Sequence, residues 1–211
     1  MTSTNPAAEL VLAGRPIDRE EAWTRVLRYC GLPWGDNPPE TWAFRYYDAI
    51  ETDPTLLTSV DVVSAGALHP GISRDDLAYF WDHRDELTSW LDRFPVDLEL
   101  RAADDATIEQ LAELPTLFQG PSLSLLTKVL HRKRPWLIPV IDREVIDLCR
   151  PLTGQRRAAD AWSPLLHHLA DDLQTNRDTL AEFRLVLRML HGLSLSDVRT
   201  ADIIIWMGGQ R

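Results

Sequence analysis

Apolar residues recur at helical spacing along almost the whole chain. Each run is opened by a capping residue and closed by proline or glycine, and this punctuation constrains the fold more than any other feature. Asp18, with Glu21 three residues on, opens a run holding Trp23, Val26 and Leu27. The Gly/Pro-rich stretch 31–39 ends it, because neither residue type continues a helix well. Thr41 to Ile50 and Leu56 to Leu68 read as the next two helices, the second stopped by His69-Pro70-Gly71. Ser73 with Asp76 caps a fourth, which carries Leu77, Phe80, Trp81, Leu87, Trp90 and Leu91 and stops at Phe94-Pro95. Helices over Asp105 to Leu114 and Ser122 to Leu130, one opened by Asp142, and two more over Trp162 to Leu173 and Asp178 to Leu190 follow. Ser194 or Ser196 caps a last helix, which ends at Gly208-Gly209. The single period-2 run sets Val96, Leu98 and Leu100 against Asp97, Glu99 and Arg101; without a partner strand it reads as an extended connector. The expectation is an all-α fold, a compact multi-helix array. Residues 17–211 form one helical domain behind an N-terminal tail, 1–16, and hold a hairpin-like segment at 105–150.

At 211 residues and 45% apolar content the chain suits one domain with a substantial core. No stretch approaches the roughly 18 apolar residues that a membrane-spanning helix needs, so no membrane partner is expected. Met1 to Leu12 lacks the basic start and apolar run of a secretory signal. Cys30 and Cys149 are too few for a disulfide framework or a four-cysteine metal site. The reading is a reduced, cytoplasmic chain without cofactor. His167-His168 are adjacent, so their rings leave on different helix faces, and the carboxylate pairs Asp75-Asp76, Asp104-Asp105 and Asp171-Asp172 have no convergent partner; no metal is assigned. Serine-hydrolase, kinase, P-loop and dinucleotide fingerprints are absent. The oligomeric state is left open.

The net charge of −10 argues against nucleic acid until its distribution is considered. Residues 120–160 hold eight basic residues (Lys128, Arg132, Lys133, Arg134, Arg143, Arg150, Arg156 and Arg157) against Asp142, Glu144, Asp147 and Asp160, which leaves +4. Lys128 and Lys133 are the only lysines in the chain. An acidic body carrying one basic segment is compatible with a localised phosphate contact.

That segment is also the richest in pattern. Leu114-Pro115 ends one helix, Gly120-Pro121 turns the chain, and Ser122 opens the next helix, along which lie Ser124 and Lys128 with Arg132-Lys133-Arg134 at the far end. Free N–H groups at such a helix start can hold a phosphate with little side-chain help. An apolar, proline-containing run, Ile138-Pro-Val-Ile, then leads into Asp142. This arrangement resembles the helix–hairpin–helix segment of the DNA glycosylase superfamily over about 40 residues. Gly120 matches the second hairpin glycine, and the run into Asp142 and Val145 matches the approach to the family's catalytic aspartate. The resemblance implies that Asp142 stabilises positive charge on the sugar, or helps to activate water, as a glycosidic bond breaks. It also implies that Gly120, Pro121, Ser122, Ser124, Lys128, Arg132, Lys133 and Arg134 contact DNA. Two departures matter. Leu114-Pro115 is followed by Thr116-Leu-Phe-Gln, so the first hairpin glycine is missing. Ser122-Leu-Ser-Leu125 has no lysine where bifunctional members carry their nucleophile, so the implied activity is that of a monofunctional N-glycosylase acting on a flipped nucleotide.

A second resemblance covers more of the chain. Lys128-Val-Leu-His-Arg-Lys-Arg-Pro135, Leu137-Ile-Pro-Val-Ile-Asp142, the stretch at Ser59-Val60 and Ala201-Asp-Ile-Ile-Ile-Trp-Met207 are similar to the signature of an uncharacterised bacterial family of unknown function. This similarity names no activity. It implies that the hairpin-like segment belongs to an integral domain.

Each candidate also has a plainer role. Asp142 is a preferred N-cap for the helix holding Val145 and Ile146. Arg132-Lys133-Arg134 suits a solvated helix C-terminus, where cations meet the dipole. Trp23, Trp81, Trp90 and Trp162 fall at core spacing, whereas Trp34 and Trp136 either fold back on the core or stack on a base. Three functions follow: a DNA-interacting, glycosylase-like enzyme, a non-catalytic helical protein that binds a protein partner or a small ligand, or an unrelated small-molecule enzyme on the same array. A geometric criterion separates the first from the others, namely whether Asp142 borders an open cleft on the side of Gly120 and Lys128.

Overall fold

A computed structural model describes residues 9–32, 43–69 and 71–209. Trp34 and the prolines at 33, 38, 39 and 70 lie outside the described residues. The described chain is largely helical, with one small sheet. Two short antiparallel strands, β1 (Leu10–Leu12) and β2 (Arg15–Ile17), are followed by α1 (Arg19–Tyr29). After a π-helical turn at Phe44–Asp48 come α2 (Ser59–Ala65), α3 (Arg74–Asp82) and α4 (Arg84–Leu91). A 3₁₀ turn at Leu100–Ala102 leads to α5 (Asp105–Ala112), α6 (Leu114–Leu117) and α7 (Leu123–His131). The chain closes with α8 (Arg143–Thr153), α9 (Ala158–Thr175), α10 (Arg177–His191) and α11 (Asp197–Gly209).

Local capping sets most of these starts. Asp18 accepts the N–H groups of Glu20 and Glu21, Ser73 and Asp76 cap reciprocally, and Ser122 and Asp142 each accept an N–H three residues on. Ser196 accepts the N–H of Arg199 at 3.0 Å and so opens α11. Helix α11 is buried on nearly every side from Asp197 to Ile205 and lies against α1, α8 and α10, so it is the centre of the array.

The structure corrects four expectations. Residues 10–17, taken largely as tail, form a hairpin whose two-residue loop has positive φ at Ala13 (53°) and Gly14 (67°), the turn that matches strand twist. Helix α9 holds it in place: Asp172 accepts the N–H of Ala13, and the Asn176 amide both accepts from and donates to Val11. The helix over residues 74–91 is two helices, broken at His83. The alternating run at 96–101 ends in a 3₁₀ turn. Trp81 is 67% exposed, with Arg84 over its ring, whereas Trp90 and Trp162 are core and Trp23 stacks on Phe183.

Candidate functional site

The largest surprise concerns the basic run. Arg132, Lys133 and Arg134 are all buried, Lys133 completely. Arg132 pairs with Asp61 and donates to the carbonyls of Tyr47 and Ile50. Lys133 reaches Asp61 at 2.6 Å and the Asp53 carbonyl at 2.7 Å. Arg134 donates to the carbonyls of Phe94, Pro54 and Leu91. The three cations therefore clamp the end of α7 to the 47–54 loop and to the C-terminus of α4, capping carbonyls that have no helical partner. Their donors are committed inside the protein, so they do not form the solvent-facing phosphate patch expected from the sequence. Burial alone would raise the Asp61 carboxyl, but hydrogen bonds from Lys133, Thr52 and Thr58 hold it below the ordinary carboxylate range.

Gly120, Pro121 and Ser122 form the expected turn into α7, with Pro121 buried and Gly120 and Ser122 exposed. A Cβ on Gly120 would meet the Tyr79 ring at 2.6 Å, so glycine is needed here for close approach. Pro121 borders a separate hollow with Gln119 and Arg157.

Asp142 behaves differently. It N-caps α8, its Oδ1 accepting the Val145 N–H at 3.0 Å, and it also lines a cavity of about 500 Å³. Ser124 and Lys128 share this cavity, whereas Gly120, Pro121 and Ser122 are not among its described walls. Lys128 is 2% exposed and donates to Ser124 one helical turn back at 3.0 Å. Burial pushes its ammonium pKa down, opposed by Asp142. Burial raises the Asp142 carboxyl, opposed by the Val145 N–H and by Lys128. Leu68, Val140, Val145, Ile203 and Trp206 supply apolar wall. Tyr29, His69, Arg143 and Glu144 add polar groups, and polar groups converging on a cavity with apolar wall are the usual form of a ligand site.

Sequence reasoning missed two side chains of the same cavity, Arg199 and Asp202, both on α11. Arg199 is held within the protein: it pairs with Asp48 at 2.7 Å and donates to the Tyr29 hydroxyl, which in turn donates to Asp48 at 2.6 Å. Its guanidinium lies over the rings of Tyr29 and Tyr47. Asp202 accepts the Val140 N–H through Oδ2 at 2.8 Å, but its Oδ1 is buried without a hydrogen-bond partner among the described residues. Burial pushes the Asp202 carboxyl up to about 8, against the attraction of Arg199. The available signal was an ionisable residue inside the apolar stretch Ala201-Asp-Ile-Ile-Ile205, where burying a charge is costly.

Among the described residues, no group of three or more His, Cys, Asp or Glu side chains could hold a metal ion, and Cys30 and Cys149 are buried free thiols. Among the same residues no helix is long and apolar enough to cross a membrane. Residues 22–209 match a family of unknown function (DUF6308). The chain belongs to that family. The match takes in the clamp, the hairpin turn and the cavity together, so these are parts of one family domain. No curated protein and no solved structure matches the chain.

Proposed function

We propose that the protein is a helix–hairpin–helix glycosylase-like enzyme that breaks an N-glycosidic bond, with the target nucleotide unit held in the Asp142 cavity. One observation carries this reading: the aspartate that resembles a catalytic carboxylate borders a cavity of about 500 Å³ together with Lys128 and Ser124. Asp142 stabilises positive charge developing on the sugar as the bond to the base breaks. Lys128 and Ser124 position the unit, and Trp206, half-buried in the wall, offers a ring for stacking. The buried clamp favours a second reading. With Arg132, Lys133 and Arg134 withdrawn from solvent, the cations on the cavity wall are Lys128, Arg143 and Arg199, the last paired with Asp48, which suits a small free ligand held without a duplex.

The test is an excision assay over a panel of damaged and modified bases, comparing the native chain with Asp142→Asn. The amide keeps the cap to Val145, so the variant folds. Loss of the charge lowers the rate by about 10²–10³-fold. An unchanged rate would refute the assignment of Asp142. Binding of an intact duplex should weaken as salt rises. Absence of duplex binding in low salt, with a nucleoside still bound, would decide for the small-ligand reading.

A further inference from the structure

We propose that Asp202 is the proton donor of the cavity, delivering its proton through Oδ1 to the departing base. The proposal rests on the N-glycosidase reading and adds to it the class of base for which the site is built: one that is uncharged in the intact nucleotide and so needs a proton to leave as a neutral heterocycle.

The geometry assigns the proton to one oxygen. Oδ2 accepts the Val140 N–H and is therefore the carbonyl-like oxygen of a neutral carboxylic acid. The hydroxyl is then Oδ1, which has no acceptor among the described residues although the side chain lines the cavity. A buried hydroxyl without a partner is costly and is satisfied when a ligand brings an acceptor atom.

The surroundings keep the proton on. On its own helix Asp202 meets Arg199, whose charge is already matched by Asp48. Asp142, ahead of α8, and Asp48, from the π-helical turn, both oppose its ionisation. Cys149 on α8 and Tyr47 are the other titratable groups that feel its charge, and burial keeps both neutral. Asp142 in turn feels Lys128 of α7 and Glu144 of α8, which line the same cavity. Of the cavity's three carboxyls, Asp142, Glu144 and Asp202, the buried neutral Asp202 suits the acid role and Asp142, at a helix cap beside a lysine, the base role.

The step balances without a further reagent. The C1′–N bond breaks and its electron pair stays on the base nitrogen. That nitrogen takes the Oδ1 proton, leaving Asp202 as a carboxylate. Water adds to C1′ and gives up one proton, which returns the acid to its starting state. The net change is hydrolysis to free base and sugar.

The experiment compares two oligonucleotide substrates in the native protein and in Asp202→Asn. One carries hypoxanthine, neutral before it leaves; the other carries 7-methylguanine, already cationic and able to leave without a proton. The amide oxygen of the variant still accepts the Val140 N–H, so the fold is kept; thermal unfolding at pH 6 verifies this. The expected result is a loss of about 10²–10⁴-fold for hypoxanthine and less than about tenfold for 7-methylguanine, the range of a positioned general acid. The native rate on hypoxanthine should also fall above about pH 8 as Asp202 ionises. Carbon-13 titration of the aspartate carboxyls, assigned with the variant, should show Asp202 still protonated at pH 7. Equal losses on both substrates, or a carboxyl ionised below about pH 5, would overturn the proposal. No excision of either base by the native protein would instead overturn the glycosidase reading on which it rests.

Discussion

Asp61 is the residue on which the clamp depends. Its carboxylate is wholly buried and faces two buried cations, Arg132 and Lys133, while Thr52 and Thr58 complete its hydrogen bonds. Such a site is neutral only as a set. Asp61→Asn removes the negative charge and leaves both cations buried without a counter-ion, which should cost about 3–5 kcal/mol in urea unfolding. Replacing a surface carboxylate such as Asp75 should change stability by less than about 0.5 kcal/mol. A small effect at Asp61 would mean that the carbonyl bonds alone hold the run. The same residues explain what sequence pattern cannot convey. A run of Arg-Lys-Arg normally reads as solvated, because such side chains are seldom buried unless paired. Here the pairing partners lie 71–85 residues away for Arg132 and 40–80 for Arg134, so no local spacing announces them.

At the scale of elements, legibility followed locality. The starts of α3, α7, α8 and α11 were readable because Ser73, Ser122, Asp142 and Ser196 each act on an N–H three residues away. The break between α3 and α4 was not, because no proline or glycine marks it and apolar spacing continues through His83. The hairpin was hidden for a related reason. Its turn uses Ala13 at positive φ, a position where glycine or asparagine would have signalled it, and its support comes from α9, over 150 residues on. Asn176 acts toward β1 as a third strand would, taking one N–H and giving one to a carbonyl. Asn176→Ala strands both Val11 groups and should destabilise the hairpin by about 1–2 kcal/mol, seen as faster hydrogen exchange at the Val11 amide. Exchange at the core of α11 should stay unchanged, since the hairpin is a peripheral element. Faster exchange at α11 in the variant, or no change at Val11, would contradict that division.

For the whole molecule, two buried groups bend the dependence of stability on pH in opposite senses. His131 donates through Nδ1 to the Ile138 carbonyl and is fully enclosed; burial and Arg199 push it down to about 4. An unfolded histidine titrates near 6.5, so between about pH 4 and 6.5 the unfolded chain binds the extra proton and stability rises with pH. Asp202 works the other way. Its folded value of about 8 lies above an unfolded value near 3.9, so the folded chain holds the extra proton and stability falls as pH rises between them. From about pH 4 to 6.5 the two slopes oppose each other. Above 6.5 His131 contributes nothing further, and of the two groups only Asp202 continues to lower stability until about pH 8. Beyond that the buried thiols Cys30 and Cys149, both pushed up to about 12, add a loss of the same sign. The clean window is therefore pH 6.5 to 8, where each unit is worth about 1.4 kcal/mol for one group. Urea unfolding across that window should show native stability falling by about 2 kcal/mol. Asp202→Asn, which has no proton to lose, should be nearly flat and should overtake the native chain at the alkaline end. Parallel curves for the two proteins would mean that Asp202 is already ionised at pH 6.5, and the cavity would then hold an anion where a proton donor is expected.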